Sequence, residues 1–124
     1  MDTKSVGAPV QRIIDRFVAA CRDDARISAA FLVGSYARGV ADAHSDIDLF
    51  LVTADDAYND FATDPRLWAR QLGEALFAEQ FSRSDVLFLI LADGTEVELS
   101  FIPEKQIGQL LSEPHWSLLD KKGL

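Results

Sequence analysis

Two aspartates, Asp46 and Asp48, stand at alternate positions where a polar segment gives way to an apolar one. Side chains two residues apart in a β-strand project from the same face, so we expect the two carboxylates to lie side by side. Neighbouring carboxylates repel each other unless a cation lies between them, and a site built only from oxygen ligands suits Mg²⁺ or Mn²⁺. The spacing therefore predicts a divalent metal site on Asp46 and Asp48.

A second motif, Gly34-Ser35, ends an apolar run, and ten residues separate it from Asp46. Glycine at the end of a buried strand lets the backbone approach a bulky anion, and the residues that follow can begin a helix whose free N–H groups face that anion. A nucleoside triphosphate would suit this position, because backbone N–H groups, the Ser35 hydroxyl and the metal on the aspartates would all meet its oxygens. Together the two motifs predict a site for a triphosphate and its metal.

The order of these motifs resembles the signature of the DNA polymerase beta-like nucleotidyltransferase superfamily: hydrophobic-Gly-Ser at Gly34-Ser35, a spacer, then Asp-hydrophobic-Asp at Asp46-Ile47-Asp48. Ala37-Arg38-Gly39 and Ser45 are similar to the branch that contains the aminoglycoside and lincosamide nucleotidyltransferases and the minimal nucleotidyltransferases. The superfamily carries a third carboxylate between apolar residues on a later strand, and Val97-Glu98-Leu99 matches that pattern. The resemblance covers most of the chain, and three motifs in the right order are much more specific than one.

The resemblance implies transfer of a nucleoside monophosphate to a hydroxyl, with ATP as the expected donor and pyrophosphate as the leaving group. Asp46 and Asp48 would hold one or two Mg²⁺ or Mn²⁺ ions, while Glu98 would complete the second metal site or accept the proton of the attacking hydroxyl. Glu96 shares the predicted strand face of Glu98 and stays an alternative third carboxylate, although it lacks the apolar residue that the pattern requires before the acid.

Nucleotide-binding residues implied by the same resemblance are Gly34, Ser35, Arg38 and Ser45. Arg38 would neutralise phosphate charge, although an exposed loop arginine has the same sequence context. Ser45 would either contact phosphate or cap the turn before the strand.

Two kinds of acceptor are compatible with the resemblance. One is a small molecule such as an aminoglycoside-like antibiotic, whose amines an acidic protein would attract, and that branch implies a helical C-terminal domain beyond this chain. The other is a tyrosine of a HEPN-type toxin, to which a minimal nucleotidyltransferase acting as an antitoxin would transfer AMP. A hypothesis of another class is a catalytically silent nucleotide-binding module, but the presence of all three carboxylates counts against it.

Composition limits the remaining possibilities. The 124 residues are 48% hydrophobic and 26% charged, which predicts one globular domain over residues 1–124, either a whole protein or the N-terminal part of a longer one. The net charge of −8 disfavours a nucleic-acid substrate, and the single cysteine excludes an internal disulfide framework. Because neither a leader sequence nor an apolar run of about twenty residues is present, we expect a cytoplasmic protein with no membrane association.

The elements that position the motifs follow from hydrophobic periodicity. We predict four strands and a last strand near the C-terminus: residues 27–33, 46–53, 85–92, 95–102 and a segment within 115–124. Asp93-Gly94 predicts a hairpin between the third and fourth strands. Side chains at Glu96, Glu98 and Ser100 are then expected on one face of that fourth strand, opposite a buried apolar face.

Three helices are expected between these strands. One begins at Pro9, one spans about residues 103–112, and one begins at Asp64-Pro65, where aspartate can cap the first turn. This last helix is predicted to bury Leu67, Trp68, Leu72, Ala75, Leu76 and Phe81. With the resemblance, the pattern implies an α+β polymerase beta-like nucleotidyltransferase fold: a mixed, mostly antiparallel sheet of about five strands with helices packed on one side.

Overall fold

A mixed sheet of six strands forms the centre of the computed structural model, which describes residues 7–42, 45–80 and 85–124. The strands are β1 (Ile27–Val33), β2 (Ile47–Thr53), β3 (Ala75–Gln80), β4 (Val86–Leu91), β5 (Glu96–Pro103) and β6 (Trp116–Asp120). The helices are α1 (Ala8–Asp23), α2 (Gly34–Arg38), α3 (Tyr58–Thr63), α4 (Pro65–Ala69) and α5 (Ile107–Leu111), with short 3-10 turns at residues 55–57, 70–72 and 104–106.

The strand order across the sheet is β3-β4-β5-β2-β1-β6. Every neighbouring pair is antiparallel except β2 and β5, which run parallel at the centre. Gly94, with a φ of +88°, makes the tight turn that joins β4 to β5, so the predicted Asp93-Gly94 hairpin is confirmed. The α+β class is also confirmed, with six strands where the sequence predicted about five.

One face of the sheet carries most of the helical packing. Helix α1 begins at Pro9, as predicted, and buries one stripe of apolar residues: Ile13, Ile14, Phe17, Ala20 and Cys21. Phe61 of α3 and Trp68 of α4 pack beside them with Phe101 of β5, each aromatic ring edge-on to a neighbour. This aromatic cluster anchors the helices on the buried face of the central strands.

The opposite face has a smaller apolar cluster, formed by Ala29, Phe31, Val52, Ile102 and Leu110. Leu110 belongs to α5, so this short helix covers only the part of the face where β2 and β5 end. Asp48 and Glu98 lie on the same face, nearer the beginning of their strands, and both are half-buried. The incomplete cover leaves the carboxylates accessible.

The predicted long helix from Asp64-Pro65 is wrong beyond its first turns. The Asp64 carboxylate accepts a hydrogen bond from the backbone N–H of Leu67, which confirms the cap, but α4 ends at Ala69. Ala75 and Leu76 belong to the edge strand β3 and are exposed, and Leu67 is exposed as well. Trp68 and Leu72 are buried as predicted, whereas Phe81 lies outside the described residues.

Within the described part of the chain, none of the helices combines the length and the apolar character needed to cross a membrane. Helix α1, the longest of them, has 16 residues and exposes a polar face.

Candidate active site

The parallel pairing of β2 with β5 places Asp48 directly opposite Glu98. Neighbouring strands lie about 4.8 Å apart, so two side chains on the same face of paired residues meet. The Asp48 and Glu98 carboxyl groups do so and share a hydrogen bond. Two residues that are fifty positions apart in the sequence are therefore brought together by strand register alone.

A second carboxylate pair lies next to the first. Asp46 immediately precedes β2, and because Ile47 pairs with Val97, it lies next to Glu96, the first residue of β5. A hydrogen bond to Asp46 and the charge of that carboxylate raise the pKa of Glu96. The four acids thus form two neighbouring pairs, Asp48 with Glu98 and Asp46 with Glu96. Both candidates for the third carboxylate, Glu96 and Glu98, therefore lie beside the aspartates.

Of these four acids, Asp48 has the largest pKa shift. Its pKa rises from 3.8 to about 7, first because partial burial disfavours the charged form and then because of the hydrogen bond and the negative charge of Glu98. Asp46 adds to the increase, and the guanidinium of Arg38 opposes it. Such crowding of like charges is common at functional sites, where a ligand relieves it.

The Asp48 carboxylate occupies the space that a side chain at position 34 would fill. The glycine has a φ of +69°, a conformation that other residues rarely adopt, and a Cβ atom placed on it would overlap Oδ2 of Asp48 and lie 2.7 Å from Cγ. Val33, the residue before it, pairs with Asp48 across β1 and β2. The glycine and the aspartate of the two sequence motifs are therefore packed against each other.

The remaining predicted binding residues surround this contact. Ser35 and Arg38 belong to α2, a helix of five residues, and an Arg38 Nη2 atom lies 3.5 Å from Ser35 Oγ as a hydrogen-bond donor. Arg38 is exposed, and its role in binding phosphate stays a prediction. The Ser45 hydroxyl accepts a hydrogen bond from the Asp42 backbone N–H at 2.9 Å, which is the turn-capping arrangement. Its role in nucleotide binding stays a prediction.

The carboxylates are chemically suited to Mg²⁺ or Mn²⁺, because both ions prefer oxygen ligands and a cation would relieve the repulsion that raises the pKa of Asp48. Among the described residues, no three Asp, Glu, His or Cys side chains already converge as a metal site. The metal site on Asp46, Asp48 and Glu98 therefore stays a prediction.

Two pockets are lined in part by residues of these motifs. The larger, about 820 Å³, is lined by Tyr36 of α2, the turn around Asp42 and Ser45, and the hairpin residues from Asp93 to Glu96. The smaller, about 280 Å³, is lined by Gly34 and Arg38, by Phe50 and Ile102 of the sheet, and by α5. Sequence patterns did not predict the contribution of α5, because nothing in that segment carries a recognisable motif.

The chain as a whole matches a known protein family. Residues 14–117 match the family model described as a nucleotidyltransferase domain, a span that includes Gly34, Asp46, Asp48 and Glu98. The chain therefore belongs to the nucleotidyltransferase domain family. The sequence-based assignment to the polymerase beta-like superfamily and to the nucleotidyltransferase class of enzymes is confirmed. No curated protein sequence matches the chain significantly.

Solved structures support the same fold. An aminoglycoside 6-adenyltransferase from Bacillus subtilis superposes with a TM-score of 0.65 at 16% identity, and the match covers 96% of this chain and 43% of that one. The Thermotoga maritima CCA-adding enzyme, complexed with tRNA, gives 0.56 at 16% identity over 79% of this chain and 22% of its own. A protein from Sulfolobus solfataricus described as a candidate nucleotidyltransferase gives 0.54 at 10% identity, with 98% and 96% covered. Identities this low show a shared fold alone.

Proposed function

We propose that this domain transfers AMP from ATP to a hydroxyl group of a small-molecule acceptor in a reaction that depends on Mg²⁺ or Mn²⁺. The observation that carries the proposal is the contact between Gly34 and Asp48, with Glu98 paired opposite, since it joins all three sequence motifs in one place. Membership of the nucleotidyltransferase domain family supports the reaction class.

In the proposed reaction, the acceptor oxygen forms a bond to the α-phosphorus as the bond from that phosphorus to the β-phosphate bridging oxygen breaks, and pyrophosphate leaves. Glu98 would accept the proton of the acceptor hydroxyl or hold the metal with Asp46 and Asp48. Ser35 and Arg38 would bind the phosphate oxygens. Arg38 would do so through its planar, positively charged guanidinium group, which can donate two parallel hydrogen bonds. A metal bound at Asp46 and Asp48 would supply Lewis-acid stabilisation of negative charge on the triphosphate.

The larger pocket supports an acceptor that carries amines. Three of its lining residues are acids, Asp42, Asp93 and Glu96, and the lining found among the described residues includes no lysine or arginine. A cationic molecule would be attracted to such a pocket, and the net charge of −8 adds to that attraction at long range. An aminoglycoside-like compound has both the amines and the hydroxyl groups that this site would use.

A transfer assay tests the proposal. The protein is incubated with ATP labelled at the α-phosphate, Mg²⁺ and a panel of aminoglycosides and neutral sugars, and labelled product and pyrophosphate are measured. We expect product with an amine-bearing acceptor, and we expect Asp48→Asn and Glu98→Gln to abolish it. Normal turnover by Asp48→Asn would contradict the assignment, whereas metal-dependent ATP binding without any product would favour the silent nucleotide-binding module.

A protein acceptor is the second candidate. It is favoured by the Sulfolobus solfataricus protein, of which the match covers 96%, because this shows that the fold can make up almost a whole protein. In that case the acceptor would be a tyrosine of a HEPN-type toxin, and the domain would act as its antitoxin. Co-expression with a helical ribonuclease toxin and intact-mass analysis distinguishes the two: a gain of one or more AMP groups on the toxin supports this candidate.

A further inference from the structure

The outer edge of β3 is open to a further strand. Strand β3 lies at one end of the strand order, and its pairing with β4 is regular from Phe77 to Gln80. In an edge strand, every second residue points its backbone N–H and C=O groups away from the sheet. Proteins usually protect such edges with lysine or proline, and residues 75–80 contain neither. The edge of β3 can therefore pair with another extended segment.

A groove of about 560 Å³ lies beside this edge on the helical side of the sheet. Arg66 and Arg70, one helical turn apart, line it on the side of α4. Ala78 and Leu89 line it on the side of the sheet, where they pair across β3 and β4. Because the alanine side chain is short, the groove has room for the side chains of an added strand.

The groove is cationic although the protein is acidic. Arg66 and Arg70 are exposed, and neither guanidinium has an ion pair or a hydrogen bond with another described residue. Glu74 is the one acid among the described lining residues, so positive charge is in excess here on a chain with a net charge of −8. Unpaired arginines in a groove indicate a ligand that carries carboxylates or other anionic groups.

The other side of the same edge is apolar. Phe77 is 46% exposed and its ring packs edge-on against Phe88 of β4. Phe88 pairs with Glu98, so both phenylalanines lie on the face of the sheet that α5 covers only in part. Successive side chains of a strand point to opposite faces. An added strand would therefore contact Arg66 and Arg70 with one set of side chains and Phe77 with the other.

A second copy of the chain fits this edge less well than an acidic partner does. Antiparallel pairing of two β3 strands about a twofold axis would keep the helical faces of both sheets on the same side. Arg66 and Arg70 of both copies would then lie on that side of the interface, where like charges oppose association. An acidic segment of another protein has the opposite charge.

We propose that the edge of β3 and the groove beside it bind an extended segment of a partner protein in which acidic and apolar residues alternate. The segment would add a seventh strand to the sheet, with its carboxylates on Arg66 and Arg70 and its apolar side chains beside Phe77. Backbone hydrogen bonds supply the affinity of such strand addition, and the alternate side chains supply its specificity. Because β4 separates β3 from β5 and Glu98, the inference does not depend on the proposed reaction.

The probe is a fluorescein-labelled synthetic peptide of about eight residues, long enough for one strand, in which glutamate alternates with valine. Fluorescence polarisation measures its binding in EDTA at low ionic strength, where charge interactions are least screened. We expect Arg66→Gln/Arg70→Gln to weaken binding roughly tenfold, the scale of two exposed charge pairs. Arg22→Gln/Lys105→Gln is the matched control, because it removes two exposed positive charges outside the groove and should leave binding unchanged.

Two N-methylated versions of the peptide test strand addition on the unmodified protein. Methyl groups on the glutamate amides block one edge of the extended peptide, and methyl groups on the valine amides block the other. We expect one version to lose binding and the other to keep it, because only one edge of the peptide faces β3. Equal binding of the two versions, equal binding by the groove and control variants, or no binding of the unmethylated peptide would overturn the inference.

Other occupants are tested with the same protein. Sedimentation equilibrium of the protein alone should show a monomer, and a dimer that Phe77→Lys dissociates would overturn the inference in favour of a second copy. A labelled oligothymidylate of the same length should bind more weakly than the peptide. Tighter binding of the oligothymidylate that Arg66→Gln/Arg70→Gln abolishes would assign the groove to nucleic acid instead.

Discussion

Asp48→Asn is expected to stabilise the metal-free protein while it removes activity. The pKa of Asp48 lies near 7 in the folded protein and at an ordinary 3.8 in the absence of that environment. The folded state therefore binds more protons between these two values, and the stability contributed by this group falls as the pH rises from about 4 to 7. Asparagine keeps the shape of the side chain, carries no charge and can donate a hydrogen bond to Glu98.

The size of the effect follows from the difference between the two pKa values. At 1.36 kcal/mol for each pKa unit, a rise from 3.8 to about 7 corresponds to an upper limit of about 4 kcal/mol above pH 7. Asp48 is only half-buried, so solvent screening reduces this limit, and we expect about 1–2 kcal/mol. For a domain of this length, that gain raises the melting temperature by roughly 4–8 °C.

The assay is thermal unfolding in EDTA at pH 8 and pH 5. We expect Asp48→Asn to melt above the unmodified protein at pH 8, with less than half of that difference left at pH 5, where Asp48 is already mostly protonated. Asp56→Asn is the control, because Asp56 is exposed and lies beyond the opposite end of β2 from Asp48, and its loss removes the same single charge from a total of −8. Equal melting temperatures for Asp48→Asn and Asp56→Asn at pH 8 would refute the reasoning.

The remaining predictions concern the glycine and the core. Gly34→Ala should abolish MgATP binding by displacing the Asp48 carboxylate, whereas Gly39→Ala, with a similar φ of +73° and no atom within 4 Å of the added Cβ, should cost about 1–2 kcal/mol of stability and keep binding. Equal MgATP affinity for the two alanine variants, measured by calorimetry, would contradict this account. Phe61→Ala should lower the free energy of unfolding in urea by about 3–5 kcal/mol, because Phe61 is 1% exposed and packs edge-on against Trp68. A loss below about 1 kcal/mol would show that the aromatic cluster is not the anchor inferred here.

The central strands and the hairpin were predictable because their apolar runs are bounded by distinct turn residues. Strand β1 ends immediately before Gly34, and β2 begins within one residue of the predicted position. The alternation from Glu96 onward also gave the correct face for Glu98. These features are local in sequence, so periodicity and turn chemistry determine them.

Strand β3 was not predictable from the same local rules. Ala75, Leu76 and their neighbours favour helix intrinsically, and with Leu72 they continue the helical spacing of α4. Pairing with β4 overrides that preference, and Gly73, with a φ of +149°, lets the chain leave the helix and enter the sheet. The glycine was the one local indication of a break.

The partners of the carboxylates also depended on information outside the local sequence. The motif alone left Glu96 and Glu98 as alternatives. The parallel register of β2 and β5 pairs Glu98 with Asp48, and Glu96, one position outside that register, interacts with Asp46. The pocket wall built by α5 is likewise a tertiary feature, because residues from both strands and the helix must meet before it exists. The chemistry of the site was therefore visible in the sequence, whereas its pairing and its pockets were not.

Calorimetric titration of ATP tests the central claim most directly. The protein is titrated in Mg²⁺ and again in EDTA, beside the double variant Asp46→Asn/Asp48→Asn, whose melting curve confirms that it is folded. We predict that ATP binds only when both the metal and the two carboxylates are present. Binding of equal strength in EDTA or by the double variant would contradict a metal-dependent nucleotide site at the start of β2.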